Sequence, residues 1–288
     1  MTNVAGAPIS WGVCEVPGWG YQLDAGRVLD EMREVGLAAT EFGPDGFLPA
    51  DPRAKAETLA AHGLRAVGGF VPVVLHEPGH DPVPAVEAAL DGFVAVGAGT
   101  LVLAAATGGH GYDLRPAIDA TGWRTLLANL DHLAGRAAER GVTATLHPHV
   151  GTMVERAEEV ARVLDGCSVP LCLDTGHLLV GGTDPARLAR GATDRIAHVH
   201  LKDVDAGLAE RVRAGAASYT DAVRAGMYRP LGAGDVDIAA IVATLTAAGY
   251  RGWYVLEQDT VLTVEPPPGA GPVADVRASL EYLRKVST

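Results

Sequence analysis

Short apolar runs recur along this chain, and each is followed by a longer stretch with helical spacing. The runs cover residues 4–10, 38–42, 65–71, 100–104, 142–147, 171–174, 198–201 and 253–257. Between two of them, residues 123–140 set Leu126, Leu127, Leu130, Leu133 and Ala134 on one stripe, and Gly141 supplies a left-handed stop. Strand, helix, glycine, strand is the βα unit. Eight such units in 288 residues predict a single closed (β/α)8 barrel of the TIM type, not an open doubly wound sheet. No linker divides the chain, so one domain over 1–288 is expected. The connection at 205–231 is longer than a βα loop needs and carries Arg211, Arg213, Arg224 and Arg229; it reads as a lid insertion.

A dinucleotide fold would need GxGxxG directly after an early strand. Gly12, Gly18 and Gly20 lack that spacing, and Gly108-Gly109-His110-Gly111 and Gly181-Gly182 are too short and displaced.

Barrel strands are buried on both faces, and their C-terminal ends open onto the catalytic mouth. Four consecutive runs end in imidazole or carboxylate: Leu146-His147-Pro148-His149, Leu171-Cys172-Leu173-Asp174-Thr175-Gly176-His177, His198-Val199-His200-Leu201-Lys202-Asp203 and Leu256-Glu257. An unpaired Asp174 at the end of an apolar strand would be costly to bury, so a strong partner is required. His198 and His200 share strand parity; His200 lies nearer the mouth, while His198 reads equally well as a hydrogen-bonded core histidine. The expected cation ligands are therefore Asp174, His200, Glu257 and one of His147 and His149. That mixed set suits one divalent ion such as Mn, Co, Zn, Fe or Mg.

The candidate catalytic groups are Glu257, His177, His149 and Lys202, and the candidate substrate contacts are Trp11, Glu41, His177, Lys202 and Glu155. Each has a plainer alternative. Lys202 beside Asp203 could be a solvated ion pair, Glu41 a salt bridge or a support for another side chain, and Trp11 and Trp19 loop packing. The chemistry these residues support is Lewis-acid activation of a carbonyl or of a vicinal hydroxyl pair, with an adjacent carboxylate or imidazole moving a proton.

Composition narrows the partners. A net charge of -12 disfavours nucleic acid, and 48% hydrophobic residues with 20% charged excludes a disordered chain. Cys14, Cys167 and Cys172 have no CxxC spacing and suit a reducing compartment, with Cys172 as strand core. Met1-Thr2-Asn3 opens no signal-like segment, and no uncharged apolar stretch is long enough to span a bilayer, so a cytoplasmic protein without a membrane partner is expected. Neither HExxH nor GxSxG occurs, which disfavours a zinc protease or a serine hydrolase. A homo-oligomer is left open.

Asp174-Thr175-Gly176-His177, the 198–203 run and Leu256-Glu257 resemble signatures of the xylose-isomerase-like TIM-barrel superfamily, across nearly the whole chain. Within it, Ala7-Pro8-Ile9-Ser10-Trp11, Thr40-Glu41-Phe42-Gly43, the 218–226 segment and Leu231-Gly232-Ala233-Gly234-Asp235 look most similar to inosose (2-keto-myo-inositol) dehydratases. The resemblance implies a small sugar or cyclitol as partner and one divalent metal, commonly Mn or Co, with Asp174, His200 and Glu257 as ligands and His177 on the substrate. It implies a Glu at the fifth strand, where this chain has His147-Pro148-His149. A two-base epimerase would miss that carboxylate more than a dehydratase would, so a lyase is expected, with an isomerase or epimerase as the alternative.

Overall fold

The computed structural model describes residues 3–109 and 111–287, so His110 of the glycine-rich run lies outside the described residues. Its main sheet has nine parallel segments, with Arg65–Ala66 at one end of the order and Gly68–Val74 at the other. Those two segments are one strand interrupted at Val67, and there the sheet closes on itself. The Val67 N–H donates to the Thr40 carbonyl on one side, while its carbonyl accepts from the N–H groups of Gly99 and Thr100 on the other.

Counted this way the main sheet has eight strands among the described residues: β1 Val4–Gly6, β2 Ala39–Thr40, β3 Arg65–Ala66 with Gly68–Val74, β4 Thr100–Ala106, β5 Thr143–Leu146, β6 Leu171–Asp174, β7 Ile196–Leu201 and β8 Tyr254–Leu256. β8 pairs in parallel with both β1 and β7, which completes the (β/α)8 barrel. Closure is tight at Gly68, where a Cβ would sit 2.0 Å from the Thr100 carbonyl oxygen, so only glycine fits.

Element ends follow local chemistry. β1 stops at Gly6, short of the expected Ser10, because Pro8 has no N–H to pair; Pro8–Trp11 forms a 3-10 turn instead. β3 and β4 run past their expected ends to Val74 and Ala106. The helix expected at 123–140 spans Ala120–Glu139, capped by the Asp119 side chain on the Gly122 N–H at 2.7 Å. Its Leu126, Leu130 and Leu133 are buried, with Leu127 and Ala134 half-buried at the edge of the stripe, and Gly141 follows at φ 72°.

The long connection after β7 is structured. It holds helices Ala206–Arg213 and Tyr219–Arg224, and Tyr228–Arg229 pairs antiparallel with Asp203–Val204. Asp203 is fully buried and ties down the return of this segment, accepting from the N–H groups of Val204, Gly232, Gly234 and Val236. Asp203 is thus spoken for, and the solvated Lys202–Asp203 pair does not form. Cys172 is fully buried in β6, and all three cysteines are free. Among the described residues, no helix is long and apolar enough to cross a membrane.

Candidate active site

Asp174 is both the last residue of β6 and the N-cap of the helix Thr175–Val180. Its Oδ1 accepts from the N–H groups of Gly176 at 2.9 Å and His177 at 2.8 Å. Oδ2 is thereby left to the side chains, with His147 Nε2 at 3.1 Å, His200 Nδ1 at 3.6 Å and Lys202 Nζ at 3.7 Å. Burial alone would raise this carboxyl; the Lys202 ammonium, His177, His147 and His200 outweigh it and hold Asp174 well below the usual carboxylate range.

His200 is fixed from behind. Its Nε2 lies 3.0 Å from Glu41 Oε1, and the same oxygen lies 2.7 Å from His198 Nε2. Its Nδ1 sits 3.1 Å from Glu257 Oε2 yet makes no hydrogen bond there or elsewhere. A carboxylate on one imidazole nitrogen and an open partner on the other is how proteins present histidine to a cation.

One atom each from Asp174, His200 and Glu257 lies within 4.8 Å of the others, and His147, Asp174 and His177 make a second group within the same spacing. Of the two fifth-strand histidines, His147 is the one beside Asp174. His149 turns its Nδ1 to the Val150 carbonyl at 2.7 Å. A carbonyl can only accept, so Nδ1 carries the hydrogen and Nε2 the lone pair. Burial, then the charges at His147 and Lys202, push His149 down to about 3, which keeps it neutral.

These groups face a cavity of about 400 Å3, whose polar wall includes Glu41, His147, His149, Lys202, Glu257 and Asp259, and whose other walls include Trp19, Phe70 and Tyr112. Lys202 is buried, bonded to Asp259 Oδ1 and 2.9 Å from Glu257 Oε2. Burial opposes its charge, but Asp259, Glu257 and Asp174 raise it well above an ordinary lysine. Burial would raise Glu257 as well; His200 and Lys202 overcome that and lower it to about 2.

Charge supplies a test of whether a cation suits these residues. Glu41, Asp174, Glu257 and Asp259 are four buried carboxylates in a site with one ammonium; even with His200 protonated, which the neighbouring carboxylates favour against burial, two negative charges stay in excess when the other imidazoles are neutral. Buried charge of one sign is costly by several kcal/mol per ion. A divalent cation between Asp174, His200 and Glu257 offsets it and gives the orphaned His200 Nδ1 a partner, so the donor set fits such an ion.

Three expected substrate contacts lie off the cavity wall. Trp11 is fully buried, with its indole N–H on Glu31 Oε2 at 2.9 Å, because the Pro8–Trp11 turn rotates it into the core. Glu155 accepts the Gly151 N–H at 2.8 Å and pairs with Arg115 at 3.3 Å, so it braces the loop after His149 and stays off the cavity wall. His177 also lies off that wall, its ring 3.7 Å from that of His149. Glu41 lines the cavity and orients His200 and His198 at the same time.

Several site residues escaped sequence reasoning. Asp259 shares extended-chain parity with Glu257, a signal that was present. Tyr219 and Tyr228 reach the site from the long connection, Tyr219 donating to Asp259 Oδ2 and lying 3.0 Å from the Tyr228 hydroxyl. No periodicity marks them.

The sequence pattern of the xylose isomerase-like TIM barrel family matches residues 29–286. The rhizopine catabolism protein MocC of Rhizobium meliloti is 33% identical over 99% of this chain and 88% of its own length. The inosose dehydratase of Geobacillus thermodenitrificans (strain NG80-2) is 30% identical over 97% of this chain and 95% of its own. Among solved structures, the IOLI protein with a bound zinc atom superposes with a TM-score of 0.68 at 12% identity, covering 99% of this chain and 98% of that one. The chain belongs to the xylose isomerase-like TIM barrel family and is an enzyme of that superfamily.

Proposed function

We propose that the protein is a divalent-metal-dependent lyase that removes water from a small keto-cyclitol or keto-sugar of the inosose kind. The observation that carries this reading is the convergence of Asp174 Oδ2, His200 Nδ1 and Glu257 Oε2 beside a polar cavity at the barrel mouth. Full-length relatives named inosose dehydratase support the substrate class, and the zinc atom of the IOLI protein supports a cation in this fold. In this reading Asp174, His200 and Glu257 hold the ion, with His147 beside Asp174 as the fourth candidate. Manganese or cobalt is the metal we favour, on resemblance.

Bound there, the ion would polarise the ketone oxygen and make the neighbouring C–H acidic. His149 is neutral, with its lone pair on Nε2, and takes that proton. Among the described residues Lys202 is the one Lys or Arg side chain on the cavity wall, and its Nζ gives a proton to the departing hydroxyl. The C–H and C–O bonds break, a C=C bond forms, and the hydroxyl leaves as water. Glu41 keeps His200 in place throughout, and His177 supports the His149 ring from behind. The 205–231 segment acts as the cover of this site, contributing Tyr219 and Tyr228. We also read the enzyme as cytoplasmic, since three unpaired cysteines suit a reducing compartment.

The reading is tested by incubating Mn- or Co-loaded protein and chelator-treated protein with 2-keto-myo-inositol, following the ultraviolet absorbance of the dehydrated diketone. Metal-dependent growth of that absorbance is expected. An inert metal-loaded enzyme would overturn the substrate assignment.

A further inference from the structure

Lys202 has an ammonium with three N–H groups. One is bonded to Asp259 Oδ1, and Glu257 Oε2 lies 2.9 Å away to receive a second. Asp174 Oδ2, at 3.7 Å, is outside hydrogen-bond reach, so a third N–H is left for the cavity that Lys202 lines. Of the three carboxylates around the ammonium, Asp174 and Glu257 also belong to the cation site. A cation drawing on those two leaves Asp259 as the anion that stays with Lys202.

Asp259 is itself held on its far side. Its Oδ2 accepts from the Tyr219 hydroxyl, and His177 Nε2, buried without a hydrogen-bond partner, lies 3.9 Å from the same oxygen. Tyr219 is locked by packing, its ring 6.5 Å from that of Trp19 and 5.9 Å from that of His177. The result is one continuous line, Tyr219 to Asp259 to Lys202, from the long connection after β7 to the cavity wall.

We propose that Asp259 is the positioning residue of Lys202, and that Tyr219 couples segment 205–231 to the reaction by fixing Asp259. The catalytic consequence rests on the lyase reading given above; the positioning itself does not.

The test has one readout that needs no turnover. The chain has three lysines, Lys55, Lys202 and Lys285, so full-length protein labelled with [ε-13C]lysine gives few signals, and K202R, which keeps the charge, identifies that of Lys202. D259N and Y219F are expected to displace the Lys202 signal and leave those of Lys55 and Lys285 in place. With substrate, D259N is expected to lower kcat about 100-fold with KM within about threefold, and Y219F to lower kcat about fivefold. D259N should add nothing further in a K202Q background.

A Lys202 signal unmoved by D259N overturns the proposal, as does an undiminished effect of D259N on kcat when Lys202 is already gone. Displaced signals in a protein that dehydrates no keto-cyclitol would sustain the positioning and sink the lyase reading, so the two failures are distinguishable.

Discussion

Glu41 Oε1 lies 3.0 Å from His200 Nε2, and that contact decides which nitrogen of His200 faces Asp174 and Glu257. Burial would raise the Glu41 carboxyl, yet His200 and His198 hold it below the usual range, so it stays ionised against both rings.

Replacing Glu41 by Gln keeps the shape and removes the charge that orients the ring. Affinity for Mn2+ is expected to fall about 10- to 100-fold, as for other carboxylates behind a liganding histidine. Isothermal titration of the two proteins checks this; unchanged affinity would detach Glu41 from the cation site.

Asp174 has two jobs that different substitutions separate. Asn can still cap the helix Thr175–Val180 but loses the anionic Oδ2, whereas Ala loses both. Metal-free Asp174→Asn, which loses the anion held by Lys202 and the histidines, should melt below the parent, and Asp174→Ala should lose about 1 kcal/mol more, or roughly a further 3 °C. Neither should retain measurable metal-dependent activity. Equal thermal midpoints for the two variants would show that the cap contributes nothing.

Glu159 gives a pH-dependent prediction away from the site. It accepts from the N–H groups of Glu155 at 2.9 Å and Arg156 at 2.8 Å and is bonded to Arg115. Burial raises its carboxyl, and the Arg115 contact with those N–H groups prevails and lowers it. A lowered folded-state pKa stabilises above the unfolded value and is lost as pH falls through the folded one. Glu159→Gln should therefore cost about 1 kcal/mol at about pH 7, with the gap closing below about pH 4. Urea midpoints of both proteins across that range measure it; a gap that widens toward acid would reverse the sign.

Much of this was legible from the strand ends. An apolar strand cannot end in Asp174 or His200 without a partner, and closing the barrel brings those partners together. The choice between His147 and His149 was not legible, because both follow β5 across Pro148 and only the turn to the Val150 carbonyl separates them. Trp11 reads like a mouth aromatic until the 3-10 turn at Pro8 swings it onto Glu31. Tyr219 meets Asp259 across 40 residues of chain, a distance at which no local pattern operates.

The measurement that tests the central claim most directly is proton NMR of the metal-reconstituted enzyme with 2-keto-myo-inositol in deuterated water, beside a chelated control. Loss of water that requires the metal is the predicted result. Deuterium entering next to the carbonyl without loss of water would contradict the lyase assignment and identify an isomerase or epimerase working from the same site.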